Sequence, residues 1–224
     1  MKFSTRGLKT YLQVPAVNLT PDTITNVTNA KPAVVTPTTI ASFSDGQVVK
    51  IAGTGLPSLD GKYFLVAKIG ASTFELQCSD ASAEVAPATA GTATPYTTAG
   101  NTPALVPFCI NSLSRDVPAG EVISVATFCD PDAQVAGAAA GAGSLSWGGP
   151  IDFCDKGFQE MQKALADGTE RILVVEFPQN IGKMIIPVEI NSYSESMEMN
   201  AAATWSGGAV VKAKPTYLTC GGCP

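Results

Sequence analysis

The chain has 224 residues, with 19 Asp and Glu, 14 Lys and Arg, and no histidine. A formal charge of -5 argues against a grip on nucleic acid, which needs clustered bases to displace counterions. The missing histidine removes Ser-His-Asp triads, Cys-His dyads and the helical zinc-protease motif, so the expectation is a protein that is not an enzyme.

In chain order, Lys2, Arg6 and Lys9 make a basic start, but the following Tyr11-Leu12-Gln13-Val14-Pro15 is too short and polar for a signal-peptide core. No run of 18 apolar residues exists to span a membrane, so the expectation is a chain made and kept in a cytoplasm. From residue 23 to 95 the composition shifts to Thr, Ala, Val and Pro, with candidate strands at 23–27, 47–52, 62–69 and 73–77. Ser44-Asp45-Gly46, Asp60-Gly61 and Gly70-Ala71-Ser72 supply the turns between them. This predicts a small inserted β module of four or five strands. Its flanks, 17–22 and 86–102, carry no periodicity and read as linkers, which leaves 1–22 and 96–224 as one discontinuous core domain.

In the core domain, 121–129 reads as a strand and is followed by a small-residue stretch, 131–149. Its middle, 135–143, buries too little side chain to offset its ordering entropy. A helix over 155–168 follows, with Asp155 as its cap, Phe158, Met161 and Leu165 on one face, and Gly168 past its end. Residues 170–177 are apolar on both sides, so both faces of that strand are covered. Met184, Ile186, Val188 and Ile190 alternate in a return strand, after which the apolar parity moves to Tyr193, Met197 and Met199. One extra residue near Asn191 accounts for the shift and predicts a β-bulge there. Trp205, Ala209 and Val211 supply a last strand.

Several chemistries are absent. Residues 53–62 look like a P-loop but place Leu56 where a glycine is needed and Tyr63 where Ser or Thr is needed. Gly137, Gly141 and Gly143 do not match the dinucleotide fingerprint. Asp152 and Asp155 bracket a helix start, where capping accounts for them, and Glu195 and Glu198 have opposite strand parity. Asn18 and Asn26 sit in glycosylation patterns that mean little without a secretory signal. Of the six cysteines, those at 78, 109, 129 and 154 read as small buried hydrophobes in a reducing compartment. Cys220-Gly-Gly-Cys223 is a CxxC in a frayed tail, short of the ligands a metal would need, and whether its two cysteines pair stays open. No cofactor and no metal is expected. Residues 150–200 hold nine acids and four bases, while the first ten residues hold three bases and no acid. That asymmetry suits ordinary solvated surface, or an acidic region meeting the basic termini of a neighbouring copy.

The order of elements resembles a known family. A basic N-terminal strand at 5–10 leads to Ile110-Asn-Ser-Leu-Ser-Arg115, then to 121–128, a long small-residue loop, Ser144-Leu-Ser146-Trp147, a single helix, 172–178, and 190–207. This is similar to the major tail tube proteins of long-tailed bacteriophages. Gly53-Thr-Gly55, 59–66 and 72–76 resemble a small β module of phage structural proteins, known by its likeness to a segment (FCCH) of ubiquitin-activating enzymes. The resemblance implies a mainly β, tail-tube-type sandwich or barrel with one flanking helix, in a virion tail made in the host cytoplasm. It implies stacked hexameric rings that form a hollow conduit for DNA, which touches the protein only in passing. Tape measure, tail tip and tail terminator proteins would be partners, with no membrane involved. Lys2, Arg6, Lys9, Gln134, Val135, Ser144 and Trp147 would lie at contacts between subunits and rings, the 1–14 and 131–149 segments would order on stacking, and the inserted module would decorate the outside. The alternatives are a receptor- or carbohydrate-binding β protein, or a head decoration or fibre protein.

Overall fold

The computed structural model of the chain describes residues 7–14, 20–84, 91–96, 105–117, 122–127, 130–137, 143–199 and 201–220. The molecule is mainly β with one α-helix, as composition and turn spacing imply. Six strands, β2 (Asp22–Val27), β3 (Val34–Pro37), β4 (Val48–Ala52), β5 (Tyr63–Ala67), β6 (Phe74–Leu76) and β7 (Gly91–Tyr96), close into an antiparallel barrel in the order β2-β3-β6-β5-β4-β7. Four of these answer the four strands read from the sequence; β3 and β7 were not foreseen. The second is a correction, because Gly91–Tyr96 lies within the stretch read as a linker yet pairs with both β2 and β4 to shut the barrel.

Short β-branched runs fill this small barrel. Ile24, Val35, Val49, Ile51, Phe64 and Phe74 are buried together, and the Phe43 and Phe74 rings stack 4.6 Å apart. The glycine loop after β4 is closed by Asp60, whose carboxylate accepts from the Thr54 and Gly55 backbone N–H groups at 2.7 and 2.9 Å. Amides that a phosphate loop would offer to a ligand are therefore already satisfied from within the loop.

The second unit is an eight-stranded antiparallel sheet. It comprises β1 (Lys9–Gln13), β8 (Leu105–Pro107), β9 (Ser112–Asp116), β12 (Ser144–Pro150), β13 (Arg171–Glu176), β14 (Gly182–Ser196), β15 (Thr204–Val211) and β16 (Thr216–Thr219). Their order is β8-β1-β13-β14-β15-β12-β9, with β16 beside the first half of β14. The basic N-terminal strand read at 5–10 is displaced: Lys9–Gln13 is the strand, and it lies in the sheet interior between β8 and β13. Lys9–Gln13 thus needs no neighbouring copy to become ordered. Leu12 is fully buried, so apolar contact and two ladders outweigh the polarity of this run.

The two-sided strand is confirmed, and its two sides belong to different cores. Ile172 and Val174 of β13 pack into the barrel cluster, while Leu173 and Val175 point into a second cluster beneath the helix. Strand alternation therefore makes β13 a wall shared by both cores. In β14, Ile185 faces the barrel, while Ile186, Val188 and Ile190 face the helix. The predicted bulge is present, since the β14–β15 register shifts between Ile190 and Ser192.

Helix α1 (Lys156–Asp167) packs on β14, β1 and β8. Asp155 caps it by accepting from the Gly157 and Phe158 backbone N–H groups at 3.2 and 3.3 Å. Gly168 ends it in the left-handed region, at φ 64°. Phe158, Met161 and Ala164 supply the buried stripe, with Leu165 packed at its margin. A Cβ on Gly157 would stand 2.3 Å from the Pro107 carbonyl oxygen, so only glycine lets the helix start approach this closely. Beneath it the Phe158 ring lies 5.5 Å from Trp205, and Phe108 lies 5.8 Å from Trp147.

Candidate assembly interface

Three features leave the sheet unfinished where the barrel is closed. Among the described residues, β8 and β9 each pair on one side only. Unpaired edges offer rows of N–H and C=O groups to another chain. The third feature is the arm between β9 and β12. Strands β10 (Val122–Thr127) and β11 (Asp130–Gly137) form a two-stranded ladder that pairs with no other described strand. This corrects the reading of 135–143 as shapeless, because Val135 pairs with Ser124 and Gln134 with Val125. Residues 138–142 of that stretch lie outside the described residues.

The outer face of β9, β12, β15 and the end of β14 carries small hydroxyl side chains. Ser112, Ser114, Ser144, Ser146, Thr204 and Ser206 are exposed, and Ser194 and Ser206 hydroxyls lie 2.7 Å apart. Together they line a broad trough of about 840 Å³. Its cause is strand parity: Leu145, Trp147, Trp205 and Ala209 turn inward, so the serines between them turn out. The spacing Ser112-x-Ser114, Ser144-x-Ser146 and Ser192-x-Ser194-x-Ser196 is visible in the sequence. Burial acts on the apolar parity, so the complementary run of hydroxyls carries no local signal of a shared surface.

The placement of the expected contact residues is mixed. Lys9 and Ser144 are exposed at the starts of β1 and β12. Gln134 and Val135 belong to the arm, while Lys2 and Arg6 lie outside the described residues. Trp147 is corrected: only 2% of it is exposed, and it fills the aromatic cluster under α1 rather than meeting a neighbour. Exposed apolar side chains occur elsewhere, at Phe153, Met197 and Met199, with Met199 94% exposed. The register puts all three at one end of the sheet, because Pro150 pairs with Thr204 and Ser196 pairs with the same residue.

Four of the nine acids in the 150–200 segment form ion pairs within the chain. Arg171, fully buried, donates to Glu160 at 3.1 Å and to Asp167 at 2.6 Å. Lys183 pairs with Glu176, and Lys212 with Glu189 at 2.8 Å. Burial pushes the Asp167 carboxyl upward, but bonds from the Thr169 backbone, Arg171 and the Thr169 hydroxyl together hold it below its ordinary value. Burial raises the Tyr193 hydroxyl to about 12, helped by its bond to Glu195. Asp152 accepts from the Cys154 backbone N–H at 2.8 Å, so both carboxylates at the helix start serve local structure. Lys212, a base near the C-terminal end of the chain, thus finds its acid in its own sheet.

The cysteines are also corrected. Cys78 and Cys220 form a disulfide, while Cys109 and Cys154 are free and exposed rather than buried. Burial raises the Cys109 thiol, with Asp155 and Asp152 adding to the shift. Cys129 and Cys223 lie outside the described residues. Among the described residues there is no cluster of three or more His, Cys, Asp or Glu that could hold a metal ion, and no helix long and apolar enough to cross a membrane.

No protein-family model matches the chain, and no curated protein matches it. Solved structures do. The tail of an empty gene transfer agent particle with C6 symmetry matches at 16% identity and a TM-score of 0.38, covering 48% of this chain and 81% of the other. The sheath–tube complex of an extracellular contractile injection system matches at 7% identity and 0.40, covering 50% and 82%. The baseplate of the anti-feeding prophage matches at 11% and 0.40, covering 54% and 87%. These values assign the chain to no family.

Proposed function

We propose that the chain is a virion structural protein, the major tail tube subunit of a phage-like particle, which assembles into rings that stack into a hollow conduit. The observation that carries this reading is the β10–β11 arm beside two unpaired sheet edges. An isolated two-stranded ladder is marginal in water, so the arm calls for a partner surface. Edges that a monomer leaves open become joints when copies of one sheet meet side by side.

On this reading six subunits close each ring, the serine trough faces the lumen and the barrel lies outside. The residues that line the trough include none of the bases that hold phosphates, which suits a duplex in transit. Tape measure, tail tip and terminator proteins would complete the tail, and the subunit would be made in the host cytoplasm. The carbohydrate-binding alternative draws no support from the barrel, because Tyr63, Phe64 and Phe74 are all consumed in its core.

Electron microscopy of the purified protein, before and after concentration, tests the proposal. Rings or hollow stacked tubes are the expected result. A particle in which labelled antibody finds this chain on the head or the fibres would overturn it.

A further inference from the structure

The last strand, β16, joins the two units of the molecule. Its ladder to β14 runs from Gly182↔Thr219 to Ile185↔Thr216, and the Cys220 N–H donates to the Ile181 carbonyl at 3.2 Å. On its other side it belongs to the barrel. The Tyr63 backbone N–H donates to the Thr216 hydroxyl at 3.0 Å, and Leu218 is buried in the barrel's core. Tyr217 lies 62% exposed, its hydroxyl accepting from Arg115 at 2.7 Å. These four residues thus add to the β13 and β14 side chains that pack on the barrel, and they cover the edge of β14 that β15 does not reach.

So short a strand is weakly held by its ladder alone. The Cys78–Cys220 bridge comes directly after it and ties residues 142 apart in sequence, from the β6–β7 connection to the end of the sheet. Closing so long a loop is the geometry in which a cross-link constrains the chain most. Both cysteines are half-buried, within reach of a small thiol.

We propose that the Cys78–Cys220 bridge is a redox-set latch on β16: closed, it clamps the barrel to the sheet; opened, it releases β16 and bares the 182–185 edge of β14. A dithiol opens it by thiolate attack on one sulfur, which breaks the S–S bond and forms a mixed disulfide. The reagent's second thiolate then closes on its own first sulfur and expels the protein thiolate. Two electrons pass to the two cysteines, which take up two protons, and the reagent leaves as a cyclic disulfide. A low-molecular-weight disulfide such as oxidised glutathione closes the latch by the reverse exchange.

The test is hydrogen–deuterium exchange on the whole chain, as purified and after dithiothreitol, with intact mass reporting the two hydrogens gained at the bridge. Amides of 182–185 and 216–220 should exchange about tenfold faster or more once it opens, while those of β13 and the far half of β15 hold their rates. The Cys78→Ser/Cys220→Ser double variant should show the open pattern without reductant, and Cys109→Ser/Cys154→Ser should still respond as the parent does. Unchanged exchange at 182–185 after confirmed reduction would overturn the latch. So would equal acceleration throughout, which marks a general staple, or a chain in which these two thiols stay free after oxidised glutathione.

Discussion

The barrel and the sheet use the same strand chemistry and end in opposite states. The barrel closes on itself, so each strand has two neighbours and apolar side chains fill its interior. The sheet stops at β8 and β9, sends out an arm that pairs with itself, and leaves the outer face of β9, β12 and β15 exposed. A closed barrel is complete as a single chain, whereas on the proposed function an open sheet with an unsupported arm is completed by other copies. The contrast separates stability from assembly, and mutations should separate them too.

The largest effect expected is on assembly. Replacing residues 122–137 with a short glycine linker should abolish rings and tubes in the microscope while leaving circular dichroism and melting nearly unchanged, because the arm pairs with nothing else described. A large fall in melting temperature would break the comparison by showing that the arm supports the sheet. Next comes Phe74→Ala in the barrel. Fully buried against Phe43, it should cost about 3–5 kcal/mol in urea denaturation, yet the folded fraction should still assemble.

Gly182→Ala probes the seam between the two units. Its Cβ would stand 2.5 Å from the Leu218 carbonyl oxygen, so β16 must shift, at a cost of about 1–3 kcal/mol. Asp155→Ala, which removes a helix cap, should cost about 1 kcal/mol by the same denaturation. Asp167→Asn should have the smallest effect and the most distinctive pH dependence. The folded carboxyl lies below its ordinary value, so its contribution is present above about pH 4 and lost as pH falls through the folded value. The parent and variant melting curves should therefore differ at neutral pH and converge in acid.

Much of the sheet was legible because its signals are local. The helix, its Asp155 cap and its Gly168 stop lie within one short window, and the bulge at Asn191 shows as a change of apolar parity. The four barrel strands that were read each carry alternating or β-branched runs. Of the two that were missed, β3 carries such a run but is only Val-Val-Thr-Pro, whereas β7 is Gly-Thr-Ala-Thr-Pro-Tyr, poor in apolar residues, and becomes a strand because β2 and β4 both leave an edge beside it. Trp147 was expected at a contact from the family resemblance, through the motif Ser144-Leu-Ser146-Trp147. Only the ladder with β15 shows that its parity turns it inward. The serine trough was the complement of that same pattern.

By itself, then, the sequence determined strand against helix, the turn positions, the bulge and the absence of histidine chemistry, all of which follow from residue types at short spacing. Tertiary structure decided which side of a strand belongs to which core, that Lys212 answers Glu189 in its own sheet, and that Cys78 meets Cys220 across 142 residues. These pairings join residues far apart in the chain. Their partners are chosen by how two sheets pack, and no local period records that choice.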